Sequence, residues 1–148
     1  MLKVGELAPE FTAQDQHGNT LTLASLLVKG RLVIYFYPKD FTPVCTAQAC
    51  TFRDAVSDLG SLSANVVGVS SDRDESHQRF AQKHSVPFSL IADPERRLIK
   101  LYGAAMPILN RTLRVTYVIA TDRRILGAFH HELSAAKHLS DVKRVLLA

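Results

Sequence analysis

Two periods of apolar and polar positions alternate along this chain. Arg31 to Tyr37 is β-branched and aromatic with almost no polar interruption, the pattern of a central strand covered on both faces. Pro38 stops it. Asn65–Ser70 and Phe88–Ala92 read as two further strands. Between them the period lengthens. Val44 to Leu59 reads as a helix with Gly60 as its stop, and Asp74–His84 as a helix with Phe80 and Ala81 on its inner face. Upstream, Gly5–Gly18 is rich in turn formers and reads as loop, with a short strand at Phe11–Ala13. Thr20–Leu23 alternates and reads as a strand.

The second half repeats the alternation. Asp93-Pro94-Glu95 reads as a helix start, with Asp93 as N-cap and Pro94 at the first helical position, and that helix is expected to end near Gly103. Arg114–Ala120 and Ile125–His130 are strands joined by the polar turn Thr121-Asp122-Arg123, which predicts an antiparallel hairpin. Ser134 to Leu147 is an amphipathic helix with Ser134 as N-cap and Ala135, His138, Leu139, Val142 and Val145 as its apolar stripe. With no linker, repeat or low-complexity stretch, residues 1–148 form one α/β domain: a mixed central sheet with helices on both faces, compatible with a thioredoxin-like fold.

Composition narrows the class. Hydrophobic residues are 47% and charged residues 22%, an ordinary globular balance that excludes disorder for the body of the chain. The net charge of +4 is scattered, without the dense stripe of a nucleic-acid binder, and reads as a solvated surface. The longest apolar run, Leu32–Tyr37, is far too short to span a bilayer. Met1–Pro9 has no apolar signal region, so a soluble cytoplasmic protein is expected. In that compartment a structural disulfide is disfavoured, and two cysteines close in sequence point to redox or metal chemistry.

Cys45 falls in the predicted first turn of the helix that follows the buried strand. Unpaired backbone N–H groups and the positive end of the helix dipole favour a thiolate there, and the thiolate is the nucleophile. Thr42, three residues earlier, has a hydroxyl for the thiolate or for a bound oxygen substrate, while Pro38 and Pro43 restrict the loop. Cys50 lies five residues on. In an intact helix that spacing separates the Cα atoms by roughly 8–9 Å, and a disulfide needs less than about 7 Å. Spacing alone leaves Cys50 open between a core residue and a thiol that resolves oxidised Cys45 after local unfolding.

Pro38-xxx-Thr42-xx-Cys45 resembles the active-site pattern of the peroxiredoxin family, and Thr42-Pro43-Val44-Cys45-Thr46 followed by Cys50 resembles its bacterioferritin comigratory protein, or peroxiredoxin Q, branch. Gly5–Phe11, Val67–Ser70 with Asp72, Phe88–Asp93 and Arg114–Ile119 are similar to later and earlier family segments, so the resemblance spans nearly the whole chain. It implies a peroxide reductase without metal or organic cofactor. Cys45 would be the peroxidatic cysteine, Thr42 and Arg114 its activating and peroxide-binding partners, Pro38 its shield and Cys50 the resolving cysteine. Thioredoxin or a similar dithiol would recycle it, and the branch's habit implies a monomer. Arg111 competes with Arg114 for the arginine role; Arg114 is preferred because it directly precedes the Val-Thr-Tyr-Val-Ile strand. Two positions depart from the branch: Gln48 stands where Glu is usual, and Val44 where Gly is usual. A β-branched Val44 predicts an ordinary backbone at that point.

A zinc site of Cys45, Cys50, His130 and His131 is disfavoured by the cysteine gap and by adjacent strand histidines pointing to opposite faces. His17, His77, His84 and His138 are expected on the surface or at helix edges, and Met106-Pro107 in an ordinary loop. A dithiol–disulfide carrier is the rival activity, but the Cys-x-x-Cys it usually carries is absent.

Overall fold

The computed structural model describes residues Met1–Ala148. Its elements run β1 (Thr12–Gln14), β2 (Thr20–Thr22), α1 (Leu23–Val28), β3 (Arg31–Phe36), α2 (Pro43–Ser61), β4 (Ala64–Ser70), α3 (Asp74–His84) and β5 (Ser89–Ala92). Then follow α4 (Arg97–Leu101), β6 (Ala105–Met106), β7 (Arg111–Thr112), β8 (Val115–Ile119), β9 (Ile125–His130) and α5 (Ala135–Leu147).

The central sheet has five strands in the order β5-β4-β3-β8-β9. β3 lies in its middle, parallel to β4 and antiparallel to β8. Its apolar sequence explains that place: Leu32, Ile34 and Phe36 enter one core, Val33, Tyr35 and Tyr37 the other. The crossovers through α2 and α3 step in the same direction along the sheet, so right-handedness puts both helices on one face. There Phe52 and Leu59 of α2, Phe80 of α3, and Val142 and Leu146 of α5 share a core. The opposite face is covered by α1, α4 and the N-terminal segment through Phe11, Leu26, Leu98 and Tyr102.

That N-terminal segment straps the sheet from edge to edge. Leu7 bridges Arg124 beside β9, and Asp15 bridges Ile91 on β5. The Gln16 side chain then imitates a strand: its amide donates to Phe88 O at 3.1 Å and accepts from Leu90 N at 2.7 Å. Covered edges resist pairing with another chain.

The thioredoxin-like mixed sheet, its hairpin and its main helices match the sequence pattern; four local readings change. Thr20–Leu23 is a strand only to Thr22, whose hydroxyl accepts from Ser25 N at 3.0 Å in a capping box that starts the unexpected α1. The 93–95 segment is a turn, not a first helical turn: Arg96 takes a left-handed φ of 61° and α4 begins at Arg97. The N-cap position is therefore Arg96, not Asp93, but the Asp93 carboxylate reaches forward to the helix start, accepting from Arg97 N at 3.0 Å and Ile99 N at 2.8 Å. α2 runs through Gly60 to Ser61, because a glycine inside a packed helix costs only about 1 kcal/mol. Met106, expected with Pro107 in an ordinary loop, instead ends the short strand Ala105–Met106, which pairs with Arg111–Thr112.

Two histidines correct a larger expectation. His77 and His138 are fully buried, not on the surface or at helix edges. Each has a partner at both ring nitrogens, which is what makes a buried imidazole tolerable. His138 Nδ1 accepts from Thr116 Oγ1 at 2.8 Å, and its Nε2 donates to His131 O at 2.8 Å, pinning α5 to β8. On α5, Val142 and Leu146 are buried with it, while Ala135, Leu139 and Val145 are half-buried.

Burial pushes the His138 pKa down from 6.5 to about 4. An unfolded chain takes up a proton near pH 6.5 that the folded chain refuses until about pH 4. Stability from this group is therefore complete above the upper value and is lost as pH falls toward the lower, by at most about 3 kcal/mol. In His138→Gln, the slope of unfolding free energy against pH in that window should flatten by close to one proton; urea titrations at stepped pH measure it. A second prediction concerns close packing. A Cβ on Gly68 would lie 2.9 Å from both the Tyr35 ring and Leu90. Gly68→Ala should cost about 1–3 kcal/mol of overpacking, read as a fall in melting temperature.

Candidate active site

β3 ends at Phe36, and α2 begins seven residues later, so the Tyr37–Thr42 loop is held between a buried strand and a long helix. Thr42 is the N-cap, with extended backbone (φ −80°, ψ 151°), and Pro43 is the first helical residue. Cys45 is then the third, within the turn whose N–H groups have no helical acceptor. It is 1% exposed. Val44 is helical, an ordinary backbone conformation open to a β-branched residue; the left-handed residue of this loop is Phe41, at φ 65°.

The pairing of β3 with β8 brings the second half of the chain to this loop. Phe36 opposes Val115, which puts Arg114 beside the strand end that leads to Cys45. Arg114 is 5% exposed, and its Nη1 donates to Cys45 Sγ at 3.1 Å and to Gln48 Oε1 at 3.2 Å. Gln48 thus keeps the acceptor role expected at its position, and its own Nε2 has no partner in the protein.

Glu132, between β9 and α5, grips Arg114 from behind. Its carbonyl accepts from Arg114 Nε at 3.0 Å, and its carboxylate accepts from Arg114 N at 2.8 Å. The same carboxylate meets His130 Nε2 at 2.6 Å. Partial burial works to raise the Glu132 pKa, but the Arg114 N–H and His130 outweigh it and hold the carboxyl below its ordinary value.

The other expected residues surround a shallow cleft of about 270 Å³ lined by Pro38, Thr42, Val44, Arg111, Arg114 and Leu133. The Thr42 hydroxyl donates to Lys39 O at 2.8 Å and makes no hydrogen bond to Cys45. Arg111 is exposed on β7 and reaches the cleft without a hydrogen bond to the thiol. Cys50 is half-buried, both thiols are free, and α2 is unbroken between them. The reduced fold therefore holds the two sulfurs on one rigid helix at a spacing that helix geometry makes too long to bond. His130 pairs with Glu132 and His131 with Asp141 at 2.6 Å, so neither histidine joins the cysteines.

Glu132 was not legible in the sequence, since a loop residue that grips through its own carbonyl leaves no pattern. Asp40 and His77, which anchor the loop before α2, were missed for another reason. His77 is three residues before buried Phe80, and that helical spacing places it on the inner face.

The comparisons with known proteins agree with this geometry. The AhpC/TSA family model matches residues 4–127. The chloroplastic peroxiredoxin Q of Populus jackii is 37% identical over 145 residues, covering 96% of this chain and 67% of that protein. The crystal structure of the peroxidoxin BcpB of Mycobacterium tuberculosis superposes with a TM-score of 0.94 at 31% identity, over 99% of this chain and 97% of that one. A bacterioferritin comigratory protein of Xanthomonas campestris, described for its alkyl peroxide reduction, superposes with a TM-score of 0.84 at 25% identity, over 93% of this chain and 90% of that one. A family match across most of the length and a shared fold over all of it identify the chain: it belongs to the AhpC/TSA family, in the peroxiredoxin Q and Bcp branch, and is a thiol-dependent peroxidase.

Proposed function

We propose that this peroxidase attacks peroxide with the Cys45 thiolate, that Arg114 and Thr42 hold the reacting oxygens, and that Cys50 resolves the product. The observation that carries the reading is the contact of 3.1 Å from Arg114 Nη1 to Cys45 Sγ. A buried guanidinium beside a thiol at a helix N-terminus stabilises the thiolate before attack and the departing oxygen during it.

The steps balance as follows. The Cys45 sulfur attacks one peroxide oxygen; the S–O bond forms as the O–O bond breaks. The leaving oxygen takes a proton and departs as water or an alcohol, and Cys45 becomes a sulfenic acid. Thr42 can offer its hydroxyl to the substrate only by giving up Lys39 O, a short rotation about one side-chain bond. Cys50 then attacks the sulfenic sulfur, the S–S bond forms, and the S–O oxygen leaves as water. Two thiols of thioredoxin or a similar dithiol donor reduce that disulfide by exchange. Pro38 shields the thiol from one side of the cleft.

The apolar wall made by Pro38, Val44 and Leu133 supports organic hydroperoxides as substrates beside hydrogen peroxide, in line with the alkyl peroxide reduction of the Xanthomonas relative. A reducing compartment such as the cytoplasm would keep the dithiol donor charged. No helix is long and apolar enough to cross a membrane.

Peroxide consumption with a thioredoxin system tests the assignment. Cys45→Ser should abolish turnover, because a serine hydroxyl is no comparable nucleophile near neutral pH. Arg114→Ala should slow attack by roughly 10²–10³-fold, the usual loss of one buried donor to a developing charge. Arg111→Ala should cost far less, and a reversed order would exchange the roles of the two arginines. Cys50→Ser should react once with peroxide, stall as sulfenic acid and over-oxidise readily. Peptide mapping of the oxidised wild type should find an intramolecular Cys45–Cys50 bond; a bond between chains, or a free Cys50, rejects the resolving role.

A further inference from the structure

The Asp40 carboxylate is buried one residue from left-handed Phe41 and two from Thr42. Its Oδ1 accepts from Tyr37 Oη at 2.6 Å; its Oδ2 accepts from Ser76 Oγ at 2.8 Å and meets His77 Nδ1 at 2.7 Å. The other nitrogen of His77, Nε2, lies 3.1 Å from Ile91 O. The Asp40 backbone N–H donates to Asp72 Oδ2 at 2.8 Å, and the same oxygen accepts from Ser70 Oγ at 2.6 Å. The partners come from the end of β3, the end of β4, the loop after it, and α3. None comes from α2. The ligand-type atoms of Asp40, Asp72 and His77 lie within 4.8 Å of one another, but they are spent on each other and on neighbouring protein groups.

A buried hydrogen-bonded cluster around a carboxylate is weak evidence for stability, since its desolvation cost offsets much of its attraction. What it does fix is one conformation. Phe41 sits at φ 65°, a strained value for a non-glycine residue that persists only where the surroundings impose it. Asp40 imposes it from one side. Phe41 itself is seated edge-on against Phe80 of α3, at a ring separation of 5.2 Å.

We propose that Asp40 and His77 are positioning residues: together they latch the Lys39–Thr42 loop, and so the first turn of α2, in the folded form that attacks peroxide, and the strength of that latch sets how fast oxidised Cys45 can reach Cys50. The inference rests on the reading that Cys50 is the resolving thiol. Attack needs the folded turn, where Arg114 meets Cys45 Sγ at 3.1 Å. Disulfide formation needs the turn unwound, because the two Cα atoms are otherwise about 8–9 Å apart. A tie that holds the loop to the sheet and α3, without touching the reacting atoms, opposes the second step and serves the first.

The test is stopped-flow oxidation of the reduced full-length chain, followed by tyrosine fluorescence, for the wild type, Asp40→Asn, His77→Gln and the milder Ser76→Ala. Disulfide formation draws on the minor unwound form, so loosening the latch should speed this peroxide-independent phase by about tenfold in Asp40→Asn or His77→Gln, the effect of losing one charge-assisted hydrogen bond. Ser76→Ala should fall between these and the wild type. The peroxide-dependent phase should slow less, because the folded form is the major one, and more peroxide should be needed for over-oxidation. A merely structural role accelerates nothing: unchanged rate constants in the folded fraction, with only a lower melting temperature, overturn the latch. Should either strong variant fail to fold, Ser76→Ala decides by the same criterion. Peptide mapping of the wild type separates the two ideas. A Cys45–Cys50 bond with unchanged variant kinetics rejects the latch alone, and absence of that bond rejects the resolving role and the latch with it.

Discussion

The hydrogen bond between Arg114 and Cys45 joins residues 69 positions apart, and most of the architecture can be read as what makes it possible. β3 must be apolar on both faces to lie in the middle of the sheet, and only a central strand has a partner on each side. β4 takes one side in parallel and β8 the other in antiparallel. The antiparallel register delivers Arg114 to the end of β3 where the chain leaves for α2. Behind the guanidinium, Glu132 supplies two acceptors and His138 pins the segment that carries Glu132. A flexible arginine has much rotamer entropy to lose, and this scaffold loses it in advance of the reaction.

The same helix turn faces opposing demands. Attack favours a rigid, dry thiol, and Cys45 is buried, with Thr42 at the N-cap position and Pro43 restricting the first turn. The resolution through Cys50 proposed above would favour a turn that melts easily. The polar contacts of Asp40 with Tyr37, Ser76 and His77 lie beside that turn, which is why the latch is proposed there. Close by, the Gln48 amide and the Tyr35 hydroxyl are buried without partners. Such groups make the folded state less favourable than its apolar packing suggests. Burial drives the Tyr35 pKa well above the usual phenol value, with the thiols of Cys45 and Cys50 adding to it, so the phenol stays neutral under both.

Polar burial recurs across the molecule with one logic. Gln16 completes the edge of β5, His138 ties α5 to β8, and His77 ties α3 to the loop before α2. Each replaces apolar contact by a directional one, and each joins elements far apart in sequence. The apolar clusters on the two sheet faces supply most of the driving force, while these contacts select one arrangement among those that would bury similar area.

The sequence by itself determined the buried central strand, the long helix opening near Cys45, the hairpin and the terminal helix, because their periods are local and strong. The loop and helix start that carry Pro38, Thr42 and Cys45 were legible for the same reason: they lie within eight consecutive residues. The choice of Arg114 over Arg111 rested on its place before a recognisable strand, and the β3–β8 register turned that place into a contact. Two boundaries moved for local reasons that periodicity does not record: Thr22 ends its strand because Ser25 completes a capping box, and α4 starts late because Asp93 reaches forward from a turn. Tertiary structure alone decided what depends on distant partners. His77 and His138 read as edge residues since histidine is polar, and they are buried because Asp40, Ile91, Thr116 and His131 present acceptors and donors at both ring nitrogens. Periodicity records which face of an element is apolar; it does not record whether a polar group on that face will find its partner, and that is settled only when the sheet closes.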